Sequence, residues 1–320
     1  IIPLCLKALV AIYFEFSHKE QTMQHLKESK HDVQSDCESC VNLNNRSTYC
    51  DYNKAFAVYD RIRQPPGLQT ILNILQQSAV PLDGQIILEG GFGTGAYLDR
   101  VRHHVKMIYG VEGSDQGYRQ TRKKVGKAAN VNIQIGNILK LSFADNFFHG
   151  YLVNQVLHHL DRENNFQQID AFLSESYRVL KSGGHLVINT CSQVQLDPEQ
   201  SPYWHYEYIP KAAQTMQLQF IPIAELEARL KSAGFGEIQR NVPSGTIFQQ
   251  EYYENPRIAL QPEFRQGDST YSFITADEIV ASNHRLNKAI EDGSVYRVMR
   301  RAAERAAEIG EILFISARKS

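Results

Sequence analysis

Seven consecutive residues, Glu89-Gly90-Gly91-Phe92-Gly93-Thr94-Gly95, set alternate glycines behind a carboxylate. Without a Cβ, Gly91, Gly93 and Gly95 let the backbone come close to a ribose and a charged tail. Gly91-x-Gly93-x-x-Ala96 also satisfies the looser dinucleotide fingerprint, in which alanine is tolerated at the third position. The loop alone therefore fits more than one nucleoside cofactor.

Glu89 narrows the choice. A carboxylate just before the glycines would crowd a pyrophosphate, but it attracts the ammonium of a methionine moiety. Glu112 closes the next predicted strand, where an acid accepts ribose hydroxyls from either cofactor. Solvated turn acids would look the same in sequence.

These residues need a scaffold. Short apolar runs at Gln85–Glu89, Met107–Glu112, Val131–Ile135, Gly150–Asn154 and His185–Thr190 read as buried parallel strands separated by helical or mixed segments. Such alternation implies an α/β doubly wound sheet with right-handed crossovers. Helical spacing predicts helices at Tyr49–Arg63, Leu68–Leu75 and Phe166–Leu180, the last ended by a turn at Lys181-Ser182-Gly183-Gly184. Further along, helices are expected at Ile223–Ala233, Ala276–Ile290 and Tyr296–Ile309, with strands at Gly236–Arg240 and Glu311–Ala317.

Composition sets outer limits. Lys and Arg total 34 against 35 Asp and Glu, which gives no global field for nucleic acid or an anionic membrane. The apolar opening Ile1–Phe16 is interrupted by Lys7 and Glu15 and is too short to span a bilayer. Five cysteines, an odd number, argue against a disulfide framework and for a cytoplasmic setting. Cys37 and Cys40 have zinc-clip spacing, but no second spaced ligand pair follows, so no metal is expected. Asn45-Arg46-Ser47 is a glycosylation sequon without a secretory signal. Residues 1–45 read as a leader without chemistry. The domain then runs 46–320, with a helical cap at 46–79, a core at 80–240 and 310–320, and a helical insertion at 241–309.

The order of motifs resembles the class I S-adenosylmethionine-dependent methyltransferases. Ile87 to Gly95 is similar to that family's first motif and Tyr109 to Ser114 to its second. Val153-Asn154-Gln155-Val156-Leu157-His158-His159-Leu160 is similar to the fourth strand and loop of small-molecule members, and Arg178 to Leu186 to the helix, turn and fifth strand. The resemblance implies a seven-stranded, mostly parallel sheet whose last strand, Glu311–Ala317, is antiparallel. It implies S-adenosylmethionine as cofactor, held by Glu89, Gly90, Gly91, Gly93, Gly95, Glu112, Gly113, Asn154 and Gln155. Gly136-Asn137-Ile138 stands where the family often has Gly-Asp-Ala against the adenine, with Asn137 replacing the acid. Tyr59 and Arg63, with Tyr52, would lie on a helix folded over the cofactor, Arg63 meeting its carboxylate; core packing would equally account for the tyrosines.

Methyl transfer from a sulfonium is an in-line displacement, so alignment and exclusion of water dominate and a base is optional. His158 or His159 could accept the acceptor's proton, or both could cap the strand. Tyr203, Trp204, His205 and Tyr206 form an aromatic loop that could act as a substrate lid, or simply pack. The expected acceptor is a small molecule. A nicotinamide-dependent oxidoreductase and a catalytically silent cofactor-binding protein are the rival readings.

Overall fold

The computed structural model describes residues 55–160 and 166–320. Tyr52, the Cys37–Cys40 pair, the sequon and the apolar opening lie outside the described residues. After a short helix α1 (Tyr59–Ile62) and helix α2 (Leu68–Leu75), the chain enters β1 (Ile86–Gly90). There follow α3 (Ala96–Val101), β2 (Met107–Glu112), α4 (Asp115–Val125), β3 (Val131–Ile135), β4 (Phe148–Asn154), α5 (Gln167–Val179) and β5 (Leu180–Thr190). Short α6 (Gln193–Leu196), α7 (Pro210–Gln217) and α8 (Ile223–Ser232) lead to β6 (Phe235–Asn241). Four helices, α9 (Gln250–Glu254), α10 (Pro262–Gln266), α11 (Ala276–Glu291) and α12 (Val295–Ile309), precede β7 (Leu313–Lys319).

The seven strands form one sheet in the order β3-β2-β1-β4-β5-β7-β6. β7 is antiparallel to both β5 and β6, and the other neighbours pair in parallel. Side chains alternate across the pleat, so adjacent β1 residues enter different cores: Ile87 packs with Ile108, Leu152 and Val187, whereas Leu88 packs with Val111, Val153 and Ile188. Each such buried side chain contributes roughly 1.5–3 kcal/mol. A mutation that exposed either face would strip helices from the sheet. The strand order reverses between β1 and β4, and ligands of doubly wound sheets bind at the carboxyl ends of the strands on either side of such a point.

One expectation needs correction. The turn Lys181–Gly184 is absorbed into β5, because α5 ends at Val179 with an extended Leu180 rather than a left-handed glycine. Gly183 keeps a positive φ of 77°, but it lies where the pairing with β4 shifts register between Phe148 and Gly150. The glycines thus form an irregularity in a longer strand. Among the described residues no helix is long and apolar enough to cross a membrane, and no group of three or more His, Cys, Asp or Glu could hold a metal ion.

Candidate active site

The glycine loop turns sharply off β1: Gly91, Gly93 and Gly95 have φ of 65°, 52° and 72°. Side chains resist that region. A Cβ on Gly91 would meet Val156 at 2.6 Å, and one on Gly93 would meet the Phe56 ring at 3.3 Å. The loop is braced from below by Thr121, whose hydroxyl donates to the Gly93 carbonyl at 2.9 Å. From the N-terminal side, Asp60 accepts from the Thr94 hydroxyl at 2.6 Å and pairs with Lys124 at 2.7 Å.

Two carboxylates face this loop. Glu112 is buried, and its oxygens accept from the Gly93 and Ser114 amides, each at 2.8 Å. Burial raises its pKa, and these amides pull the other way. Glu89 is 1% exposed. Its Oε1 accepts from Asn154 Nδ2 at 3.0 Å, whereas Oε2 is buried without a partner. Burial, opposed by the Asn154 hydrogen bond and reinforced by Glu112, pushes the Glu89 carboxyl up to about 8. The carboxyl is therefore incomplete on its own: a cation at Oε2 would ionise it and satisfy it.

At the ends of β4 and β5, Gln155 holds a φ of 54° and donates from Nε2 to Asn189 Oδ1 at 3.0 Å. Strain at a non-glycine residue on the ligand edge is typical of a functional turn. Gln155 also reaches the Cys191 sulfur at 3.7 Å, which lies 3.7 Å from the Tyr203 hydroxyl. Beyond Tyr203 is a buried cluster. His205 contacts Asp268 through Nε2 at 2.9 Å and the Tyr252 hydroxyl through Nδ1 at 3.0 Å. Arg63 pairs with Asp268 at 3.3 Å and lies over the Phe248 ring at 4.6 Å. Burial lowers the His205 pKa. Burial would raise that of Asp268, but the His205 hydrogen bond and the Arg63 charge hold it well below the carboxylate range. The imidazole is thus neutral: Nε2–H donates to the carboxylate and Nδ1 accepts from Tyr252.

Residues 88–188 match a family described as a methyltransferase domain. A demethylmenaquinone methyltransferase from Bacteroides fragilis is 29% identical over 177 residues, covering 53% of this chain and 70% of the relative. A ubiquinone/menaquinone biosynthesis C-methyltransferase from Allorhizobium ampelinum is 31% identical over 136 residues, 40% of this chain and 50% of that protein. Residues 88–188 are thus a methyltransferase domain, similar to those of the class I S-adenosylmethionine-dependent methyltransferases. The fold agrees: a putative methyltransferase of an antibiotic biosynthesis pathway in Anabaena variabilis superposes with a TM-score of 0.59, covering 80% of this chain and 98% of that one at 19% identity.

The residues of this methyltransferase fit the cofactor. An orphaned carboxylate oxygen on Glu89 suits an ammonium, and positive-φ glycines leave room for the ribose. In the segment that the resemblance sets against the adenine, Gly136 follows β3 and Ile138 is buried. Asn137 Oδ1 accepts the Leu139 amide at 3.0 Å in a local turn, leaving the amide nitrogen as the atom available to a ligand.

Other candidates are placed differently from expectation. The segment Tyr203-Trp204-His205-Tyr206 is not an open lid: all four are buried, with Trp204–Tyr208 forming a tight helical turn. Trp204 Nε1 donates to the Tyr252 carbonyl at 3.0 Å, and the Tyr206 and Thr270 hydroxyls are 3.0 Å apart. Each polar tip has a partner inside, so burying the rings is favourable. Arg63 faces this cluster rather than Glu89: the groups acting on Glu89 are Asn154, Glu112 and Lys124, whereas Arg63 acts on His158 and Cys191. Tyr59 lies beside it, its ring 5.7 Å from the guanidinium. His158 and His159 are buried in the Leu157–His159 turn, and the His158 ring is stacked 4.2 Å from Phe220. Burial holds both neutral, taking His159 down to about 3, which makes them weak bases.

Sequence reasoning missed Asp60, Thr121 and Asp268. Asp60 adjoins Tyr59, and Thr94 is inside the recognised loop, but their pairing spans 34 residues and leaves no local signature. Asp268 lies in the insertion, whose side-chain partners come from Arg63 and His205.

Proposed function

We propose that this methyltransferase transfers a methyl group from S-adenosylmethionine to a small-molecule acceptor that enters beyond the carboxyl ends of β4 and β5. The unpartnered Oε2 of Glu89, buried beside the glycine loop, carries this assignment. The cofactor supplies an electrophilic methyl on a sulfonium. Glu89 holds its ammonium, Glu112 accepts from the ribose, Gly91 and Gly93 leave space for the sugar, and Asn137 and Ile138 flank the base. Gln155, fixed by Asn189, lines the side from which the acceptor approaches. Tight packing of His158 on Phe220 and of the Tyr203 cluster excludes water from the transfer.

The two relatives are, by name, a demethylmenaquinone methyltransferase and a ubiquinone/menaquinone biosynthesis C-methyltransferase, which supports a small-molecule acceptor. A cytoplasmic location fits the free, buried Cys191. The test is transfer of tritium from labelled S-adenosylmethionine to acceptors in a small-molecule extract: labelled product that disappears in Glu89→Gln supports the assignment. Cofactor binding without any labelled product would leave a silent binding protein.

A further inference from the structure

Arg63 is a cation that the cofactor assignment does not use. Its side chain is only 14% exposed, and desolvating a guanidinium is costly unless something negative meets it. Asp268 does so in part, at 3.3 Å through Nη2, while Nε donates to the Gly267 carbonyl at 3.3 Å. Asp268 is shared with His205, and among the described residues Nη1 of Arg63 has no hydrogen-bond partner.

The surroundings are aromatic. The guanidinium lies over Phe248 and beside Tyr59, with the charges or dipoles of Tyr203 and Tyr206 acting on it. Phe56, Tyr59 and Arg63 lead from the glycine loop to this cluster: Phe56 lies against Gly93, and its ring is 6.3 Å from that of Tyr59. On the other side, Gln155, Cys191 and Tyr203 make the same connection from the end of β4. Arg63 is therefore joined to the methyl-donor cradle along two lines of contact.

We propose that Arg63 is an acceptor-binding residue, held by Asp268 and His205, and that it selects a ring-bearing acidic acceptor, a phenol or enol, bound as its oxyanion. The proposal rests on the methyltransferase reading above. Such an acceptor places its oxygen at Nη1 of Arg63 and its ring on the glycine-loop side, beside Phe56 and Tyr59. Around the guanidinium, burial keeps His158 and His205 neutral, pushes the Cys191 thiol up to about 11 and raises Tyr203, Tyr206 and Glu311, while the Asp268 carboxylate is already engaged by His205 and Arg63. A protonated amine would meet a fixed cation at Nη1. An acidic ring loses its proton to solvent as it binds. Its oxygen or ring-carbon electron pair then forms the bond to the methyl, and the S–CH3 bond breaks with its electrons passing to sulfur. Asp268 and His205 are positioning residues here.

The test uses 4-nitrophenol and 1-naphthol as probes with the full chain saturated by S-adenosylhomocysteine, reading ionisation of the bound phenol by absorbance or fluorescence. The expected result is a bound-phenol titration shifted down by roughly one pH unit or more. Arg63→Met should abolish the shift, Arg63→Lys should retain part of it, and both should keep S-adenosylhomocysteine affinity within about threefold. Neutral binding, or no binding by either phenol, overturns the proposal. So does an Arg63→Lys variant, folded by its melting curve, that loses cofactor affinity tenfold while the phenol shift is unchanged, because Arg63 would then hold the cofactor carboxylate. If the wild-type chain binds no S-adenosylhomocysteine, the methyltransferase reading falls first and this one with it.

Discussion

Asn154 Nδ2 donates to Glu89 Oε1 at 3.0 Å across neighbouring strands, while the other Glu89 oxygen stays buried and unmatched. The pairing orients the carboxyl at the switch point between β1 and β4 and leaves one acceptor for a ligand. A buried carboxyl with one unpartnered oxygen costs stability at this position.

A stability difference follows. Between the ordinary carboxylate range and about 8, the unfolded chain has released the Glu89 proton and the native chain has not. The native state then binds more protons, so the contribution of Glu89 to stability falls as pH rises through that window. Glu89→Gln should remove this slope. Chemical denaturation of the cofactor-free proteins should find the variant more stable at pH 7, by on the order of 1.4 kcal/mol per unit of that interval. An identical pH slope in the variant would take the raised pKa away from Glu89.

Gly93→Val tests the cradle sterically. At a φ of 52° with Phe56 at 3.3 Å, a branched side chain strains the loop and fills the approach to the ribose. Cofactor affinity should fall by roughly tenfold or more, about 1.4 kcal/mol, with the circular dichroism spectrum unchanged. Unchanged affinity would move the cofactor off this loop.

Asp268→Asn should destabilise by about 3–5 kcal/mol, because Arg63 would remain buried with its countercharge removed. Asp268 is held below the carboxylate range, so its contribution is full at neutral pH and is lost as pH falls through its folded value. The variant should lose that part of the acid sensitivity. Equal melting temperatures at pH 7 would show that the ion pair is not structural.

Asp60→Ala separates the loop brace from the cofactor contacts. It removes the acceptor of the Thr94 hydroxyl and the partner of Lys124. Because Asp60 is half exposed, the expected loss of stability is small, about 1 kcal/mol. Faster amide exchange at Thr94 and Gly95 is the readout, and unaltered exchange would mean that the loop holds its shape without this brace.

What could be read from the sequence was local. Strand periodicity gave β2 and β3 to the residue, and glycine chemistry located the loop, because both depend on neighbours along the chain. The Lys181–Gly184 turn lies inside a longer strand because Leu180 and His185, on either side of the glycines, both pair with β4. The burial of the aromatic quartet was not legible in sequence for a similar reason: a lid and a packed cluster look alike until partners such as Tyr252, Asp268 and Thr270, contributed from far along the chain, are known. For the same reason the Arg63–Asp268 pair could not be anticipated.

The proposed function stands on S-adenosylmethionine binding with its ammonium at Glu89. Calorimetric titration at pH 7, in buffers of different ionisation enthalpy, tests it most directly. The expected result is one site, release of a proton as Glu89 ionises, affinity that rises as pH approaches about 8, and roughly 10- to 100-fold weaker binding by Glu89→Gln. No binding of S-adenosylmethionine, or equal affinity in the variant with no proton released, would contradict it.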